Sequence, residues 1–76
     1  MQRFIIIIAT VIRTPGDLKS ISATLAKYLS AKNWTIDLQD SDNVLRLCCS
    51  ENIAPQIVEG LHRYGISSTI MGVFEN

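Results

Sequence analysis

The run Phe4-Ile5-Ile6-Ile7-Ile8-Ala9 is followed almost at once by Thr14-Pro15-Gly16-Asp17-Leu18. These two stretches constrain the chain more than anything else in it. Isoleucine is stiff at χ1 and packs well on a pleated surface, so Arg3 to Val11 is expected to be a strand. Four isoleucines in succession are apolar on both faces, which marks a central strand covered on each side. The second stretch is a helix start. The Thr14 hydroxyl can accept from orphan N–H groups, and Pro15 suits the first helical position. Asp17 completes a box-like pattern and puts a negative charge near the positive end of the helix dipole. A buried strand therefore hands over to a helix within a few residues.

The rest of the chain continues the alternation. Leu18, Ile21, Leu25 and Leu29 recur at helical spacing, with an end expected near Ala31 to Asn33. Trp34-Thr35-Ile36-Asp37-Leu38 alternates and reads as a strand with one wet face. Gln39 to Asn43 has the composition of a turn. Val44 to Cys49 is the next strand, with Leu45, Leu47 and Cys49 on one face and Val44, Arg46 and Cys48 on the other. Ser50 is the expected cap of a second helix beginning near Ser50 to Asn52, since Pro55 is tolerable only in a first turn. Ile53, Ile57, Val58 and Leu61 form its apolar stripe, and Gly65 suits the position just after it. Ser68 to Phe74 is a last strand.

The order β-α-β-β-α-β is the split β-α-β arrangement. With right-handed crossovers it gives an α+β, ferredoxin-like sandwich. The expected sheet has four antiparallel strands in the order 4-1-3-2, with both helices on one face. The 76 residues make a single domain spanning 1–76, with a thin core and little stability to spare.

Formal charge is zero, with seven basic and seven acidic residues. Lys19, Lys27, Lys32 and Arg63 are scattered, so nothing is basic enough to track a phosphate backbone, and nucleic acid is not an expected partner. The longest apolar run is far too short to span a bilayer, so no membrane partner is expected. Arg3 before that run faintly mimics a signal peptide in Met1 to Ile12. No small-residue cleavage site follows, and the expected location is cytoplasmic. Cys48 and Cys49 are sequence neighbours, which in a strand point to opposite faces. They are expected to be one buried and one outward thiol, not a chelating pair or a disulfide.

The ordered set of segments resembles the heavy-metal-associated (HMA) domain family, the fold of copper chaperones and of the N-terminal modules of metal-pumping ATPases. Thr10 and Ile12 stand where one subgroup ends its first strand, and Thr14-Pro15-Gly16-Asp17 stands at its C-x-x-C loop. Leu18, Ile21 and Leu25 follow. Trp34-Thr35-Ile36-Asp37 matches its W-x-V-D, then Asp42 an acidic turn, and Val44-Leu45-Arg46-Leu47 its I-L-x-V. Ser50, Ile57 and Tyr64-Gly65 fall where that family has its second helix and its ending. The resemblance implies heavy-metal binding, of Cu or Zn, through the loop. The departure falls on those same ligands, because Thr14 and Asp17 replace the two cysteines. A soft ion such as Cu(I) wants thiolates, and a hydroxyl with one carboxylate are hard donors and too few. A capped helix is thus expected in place of a metal site.

Other residues bear on function. Cys48 and Cys49 lie at the opposite end of the sheet from the loop, so they cannot compensate within one chain, although Cys48 could bridge to a second molecule. His62, in the last turn of the second helix, should share a rim with Arg13, Asp17, Asp40, Asp42 and Arg63. That rim is either a divalent-cation or small-anion site or an ordinary collection of turn and helix-end residues. On the outer sheet face, Val44 and Cys48 join Ile5 and Ile7. Such an apolar patch marks either a homodimer or protein-docking surface, or the β-propensity of a central strand alone.

No Cys/His or Ser/His/Asp set, no paired acids and no glycine-rich phosphate loop is present, so an enzyme is not expected. Three classes follow: an HMA-like interaction module, a metal-trafficking protein with an altered site, and a small-molecule sensor of the ACT type. The last rests on Pro15-Gly16-Asp17-Leu18 with Ile21, which is similar to the P-G-x-L-x-x-I opening of that family.

Overall fold

In a computed structural model, residues 3–75 are described. Met1, Gln2 and Asn76, the outermost positions of the expected domain and of the signal-like stretch, lie outside them. The elements are strand β1 (Phe4–Thr10), helix α1 (Pro15–Ala26), a 3-10 turn (Ala31–Asn33), strand β2 (Trp34–Ile36), strand β3 (Leu45–Cys49), helix α2 (Ala54–Arg63) and strand β4 (Ser68–Glu75). The sheet runs β2-β3-β1-β4. This is the expected 4-1-3-2 order listed from the other edge, and all three neighbouring pairs are antiparallel.

β1 is the centre. It pairs with β3 from Phe4↔Cys49 to Ile8↔Leu45 and with β4 from Phe4↔Glu75 to Thr10↔Ser68. Ile6, Ile8 and Thr10 are buried on its inner face, where the core also takes Leu45 and Leu47 from β3. Helix α1 supplies Ile21 and Leu25, while α2 and its flanks supply Ile53, Ala54, Ile57, Leu61 and Ile66. Trp34 packs partly buried against this cluster, as an anchor at the start of β2. At the far end of β1, the Thr10 amide donates to the Asp42 carbonyl at 2.9 Å, and Thr10 Oγ1 donates to the Asn43 carbonyl at 2.7 Å. The 40–43 turn is thereby tied to the end of β1, and Asn43 adopts a left-handed φ of 42° that asparagine tolerates.

Several boundaries differ from the sequence expectation. Helix α1 stops at Ala26, not near Ala31 to Asn33, because its ladder tightens. Lys27 and Tyr28 donate back three residues, to Thr24 and Leu25. Leu29 then turns to the core from the connection. β2 is shorter than Trp34 to Leu38. The Asp37 carboxylate accepts from the Gln39 and Asp40 amides and so starts the turn early.

Helix α2 starts at Ala54, and Ser50 is not its cap. A helix capped by Ser50 would set Pro55 at its fifth position, where the missing N–H breaks the ladder and the ring clashes with the carbonyl four residues back. Instead Asn52 Oδ1 accepts from the Ala54 amide at 3.2 Å, and the first ladder bond runs from the Ile57 amide to the Ile53 carbonyl. The other end is as expected. Gly65 has φ 77°, its amide donates to His62, and the Ile66 amide donates to Leu61. Both bonds of a Schellman motif are present.

The two helices cross where Gly60 meets Thr24. A Cβ on Gly60 would lie 2.7 Å from Thr24 Cγ2. Thr24 cannot swing away, since it is buried and its Oγ1 donates to the Ser20 carbonyl at 2.9 Å. Gly60→Ala should therefore destabilise by about 1–3 kcal/mol from overpacking, despite the helix propensity of alanine. Thr24→Ser, which removes the clashing methyl and keeps the hydroxyl, should recover most of that loss in the double variant. Urea unfolding of the four proteins in this cycle measures both effects.

Candidate functional site

The loop between β1 and α1 is occupied by its own hydrogen bonds. Thr14 is extended at φ −139°, ψ 159°, and its Oγ1 accepts from the Asp17 amide at 3.2 Å. Asp17 Oδ2 accepts in return from the Thr14 amide at 3.3 Å and from the Arg13 amide at 2.9 Å. Both halves of a capping box are present. The two side chains at the expected ligand positions thus bond the backbone of the helix start.

Of the rim residues, Asp17, Asp40 and Arg63 are engaged within their own segments. Asp40 turns its carboxylate to the Asp42 amide at 2.8 Å, and Arg63 pairs with Glu59 one turn back at 3.0 Å. That exposed pair adds little stability. His62 is exposed in the last turn of α2. Among the described residues, no group of three or more His, Cys, Asp or Glu side chains is placed to hold a metal ion.

The opposite end of the sheet is different. An open cavity of about 620 Å³ lies there, and both Cys48 and Cys49 line it, with Arg3, Lys27, Lys32 and Ser50. Both lie within β3, where Cys48 stands opposite Ile5 and Cys49 opposite Phe4, and both are half-buried. Arg3 Nη1 donates to Cys48 Sγ at 3.5 Å. Cys49 sits deeper, against the core, with its sulfur 4.0 Å from the Phe4 carbonyl oxygen. Burial pushes the Cys49 thiol above its ordinary 9.0. The Ile53 amide opposes the rise, the neighbouring Cys48 adds to it, and the Glu51 amide opposes it. Both thiols are free.

On the outer sheet face, Ile5 stands opposite Cys48, and Ile7 stands opposite Arg46. Ile5, Ile7, Val44 and Cys48 are half-buried rather than open. The larger exposed apolar surface is β4. Ile70, Met71, Val73 and Phe74 are 40%, 58%, 37% and 60% exposed. Phe74 stands opposite Ile5 and lies over Gly72, whose absent Cβ leaves room for the ring. The outer patch therefore continues from β1 into β4, which sequence reasoning did not single out. The signal was present, since Ile70-Met71 and Val73-Phe74 are apolar on both faces of a strand that the expected order already placed at an edge.

No helix among the described residues is long and apolar enough to cross a membrane. No family model, curated protein or solved structure matches the chain.

Two outcomes follow from this geometry. Thr14→Ala should lower stability by about 1 kcal/mol, a drop of roughly 4–8 °C in Tm for a domain of this size, read by thermal unfolding. With iodoacetamide at about pH 8, Cys48 should be alkylated ahead of Cys49, because Cys49 packs against the core and burial holds its thiol protonated above the ordinary range, thiolate being the reactive form. Fragment-ion mass spectrometry of the adjacent pair distinguishes the two.

Proposed function

We propose that the chain is a small, non-enzymatic, HMA-like interaction module that does not hold soft metal through its first loop. The observation that carries this reading is the capping box, in which Thr14 and Asp17 bond the backbone of their own helix start. The module acts by protein contacts through the sheet, by way of the outer patch of Ile5, Ile7, Val44 and Cys48 and the apolar strand β4 beside it. Two unpaired thiols agree with work in a reducing, cytoplasmic setting.

A second reading is favoured by one feature, the common concavity of Cys48 and Cys49. There the chain would bind Cu or Zn at the opposite end of the sheet, with Cys48 shared between two molecules. Soft metals prefer such thiolates to the donors of the loop.

The two readings part in a Cu(I) and Zn(II) titration under reducing, anaerobic conditions against a competing chromogenic chelator. The interaction module withdraws no stoichiometric metal, and neither Asp17→Ala nor Cys48→Ser changes that. Metal withdrawn one-for-one and lost in Cys48→Ser establishes the second reading. Metal lost in Asp17→Ala overturns the claim that the loop is only a cap.

A further inference from the structure

The two edges of the sheet are unequal. β2 offers three residues, whereas β4 offers eight. Natural edge strands are usually blunted by charge, proline or brevity. From Ser68 to Phe74, β4 has no proline and no charged residue, and four of its large apolar side chains are exposed. As an edge strand among the described residues, β4 presents a row of backbone donors and acceptors from Ser68 to Phe74 to another strand.

The facing pattern of β4 bears on which strand that is. Its register against β1 puts Ser68, Ile70, Val73 and Glu75 on the inner face, opposite Thr10, Ile8, Ile6 and Phe4. Thr69, Gly72 and Phe74 lie on the outer face, opposite Ala9, Ile7 and Ile5. Met71 is the extra residue where the register shifts. An unbroken strand of even length cannot pair with its own copy over its full length, because antiparallel overlap would set inner residues against outer ones. The bulge removes that conflict. About a two-fold axis between Met71 and Gly72, Ile70 meets Val73, Thr69 meets Phe74 and Ser68 meets Glu75, each pair on a common face. Glu75 meets a serine and no like charge.

We propose that the β4 edge pairs antiparallel with β4 of a second copy, joining two sheets into one of eight strands. This names the partner of the interaction module and rests on that reading. The contact closes. Head-to-tail addition of β4 to β2 of another copy would propagate without end, and β2 has only three residues to offer. An edge contact of this length is smaller than the roughly 800 Å² per partner of a standard interface. The dimer is therefore a weak one, populated at high protein concentration.

Sedimentation velocity across about 1 μM to about 0.5 mM covers the range in which weak self-association shows. The expected result is a shift from 8.5 kDa toward twice that mass. Hydrogen exchange at the two ends of the range should show β4 amides gaining protection while β1 and β3 do not change. Met71→Lys and, separately, Thr69→Lys place an edge lysine at exposed positions and should hold the protein monomeric, with the circular dichroism of the parent. A monomer at the highest concentration overturns the proposal and leaves β4 to a foreign strand. A dimer that survives both lysines, or forms without β4 protection, overturns it in favour of the sheet face. Neither result touches the metal titration, so failure of the self-pairing is distinguishable from failure of the interaction-module reading.

Discussion

The fold depends on one strand being paired along both flanks. β1 carries the hydrogen bonds of β3 on one side and of β4 on the other, and its inner residues Ile6 and Ile8 lie at the centre of the buried cluster. A strand in that position must be apolar toward the helices, and β-branched residues suit the pleat on both faces. Every other element is placed by reference to it. α1 leaves from one end through the capped loop, and the 40–43 turn is bonded to the same end through Thr10. The two cysteines close β3 at the opposite end. The separation of the capped loop from the thiol cavity is thus a direct consequence of antiparallel pairing with β1.

That separation divides the chemistry. At one end, the side chains that could have faced a ligand are turned to the backbone, and the helix start gains what a binding site would have used. At the other end, two thiols and three cationic side chains share a concavity whose walls come from the start of β1, the α1–β2 connection and the end of β3. The cores of the helices contribute little to either end. They are fixed against each other by the Gly60–Thr24 contact and serve to cover one side of the sheet.

Much of this was legible in the sequence, and what was legible was local or periodic. The Thr14 cap and the Gly65 terminus follow from residue types at fixed spacing, and the strand order from the succession of elements and the handedness of their crossovers, so they could be read without knowing any tertiary contact. The misplaced boundaries have a different origin. Leu29 continues the helical spacing of α1, yet it reaches the core from an irregular segment, because β2 must begin at Trp34 and the chain needs room to turn. Pro55 carried the information against a Ser50 cap, but its reach depends on which position of the first turn it occupies. The two thiols at one cavity and the exposure of β4 depend on where strands end and which edge is covered. Those are properties of the assembled sheet, and no window of sequence holds them.

The pairing of β1 with β4 also ties the first strand to the last. Phe4 is opposite Glu75, so one flank of the isoleucine strand has no partner until residues 68–75 are available. During synthesis, the sequence most able to stack into foreign β-structure is thus exposed longest on that flank. The β1–β3 ladder can form earlier, but it too closes a loop of about half the chain, and such non-local closure is slow compared with helix formation. The capped start of α1 then has a kinetic meaning as well as a structural one. The capping box favours the helix start locally, and Ile21 and Leu25 of that helix share the buried cluster with Ile6 and Ile8.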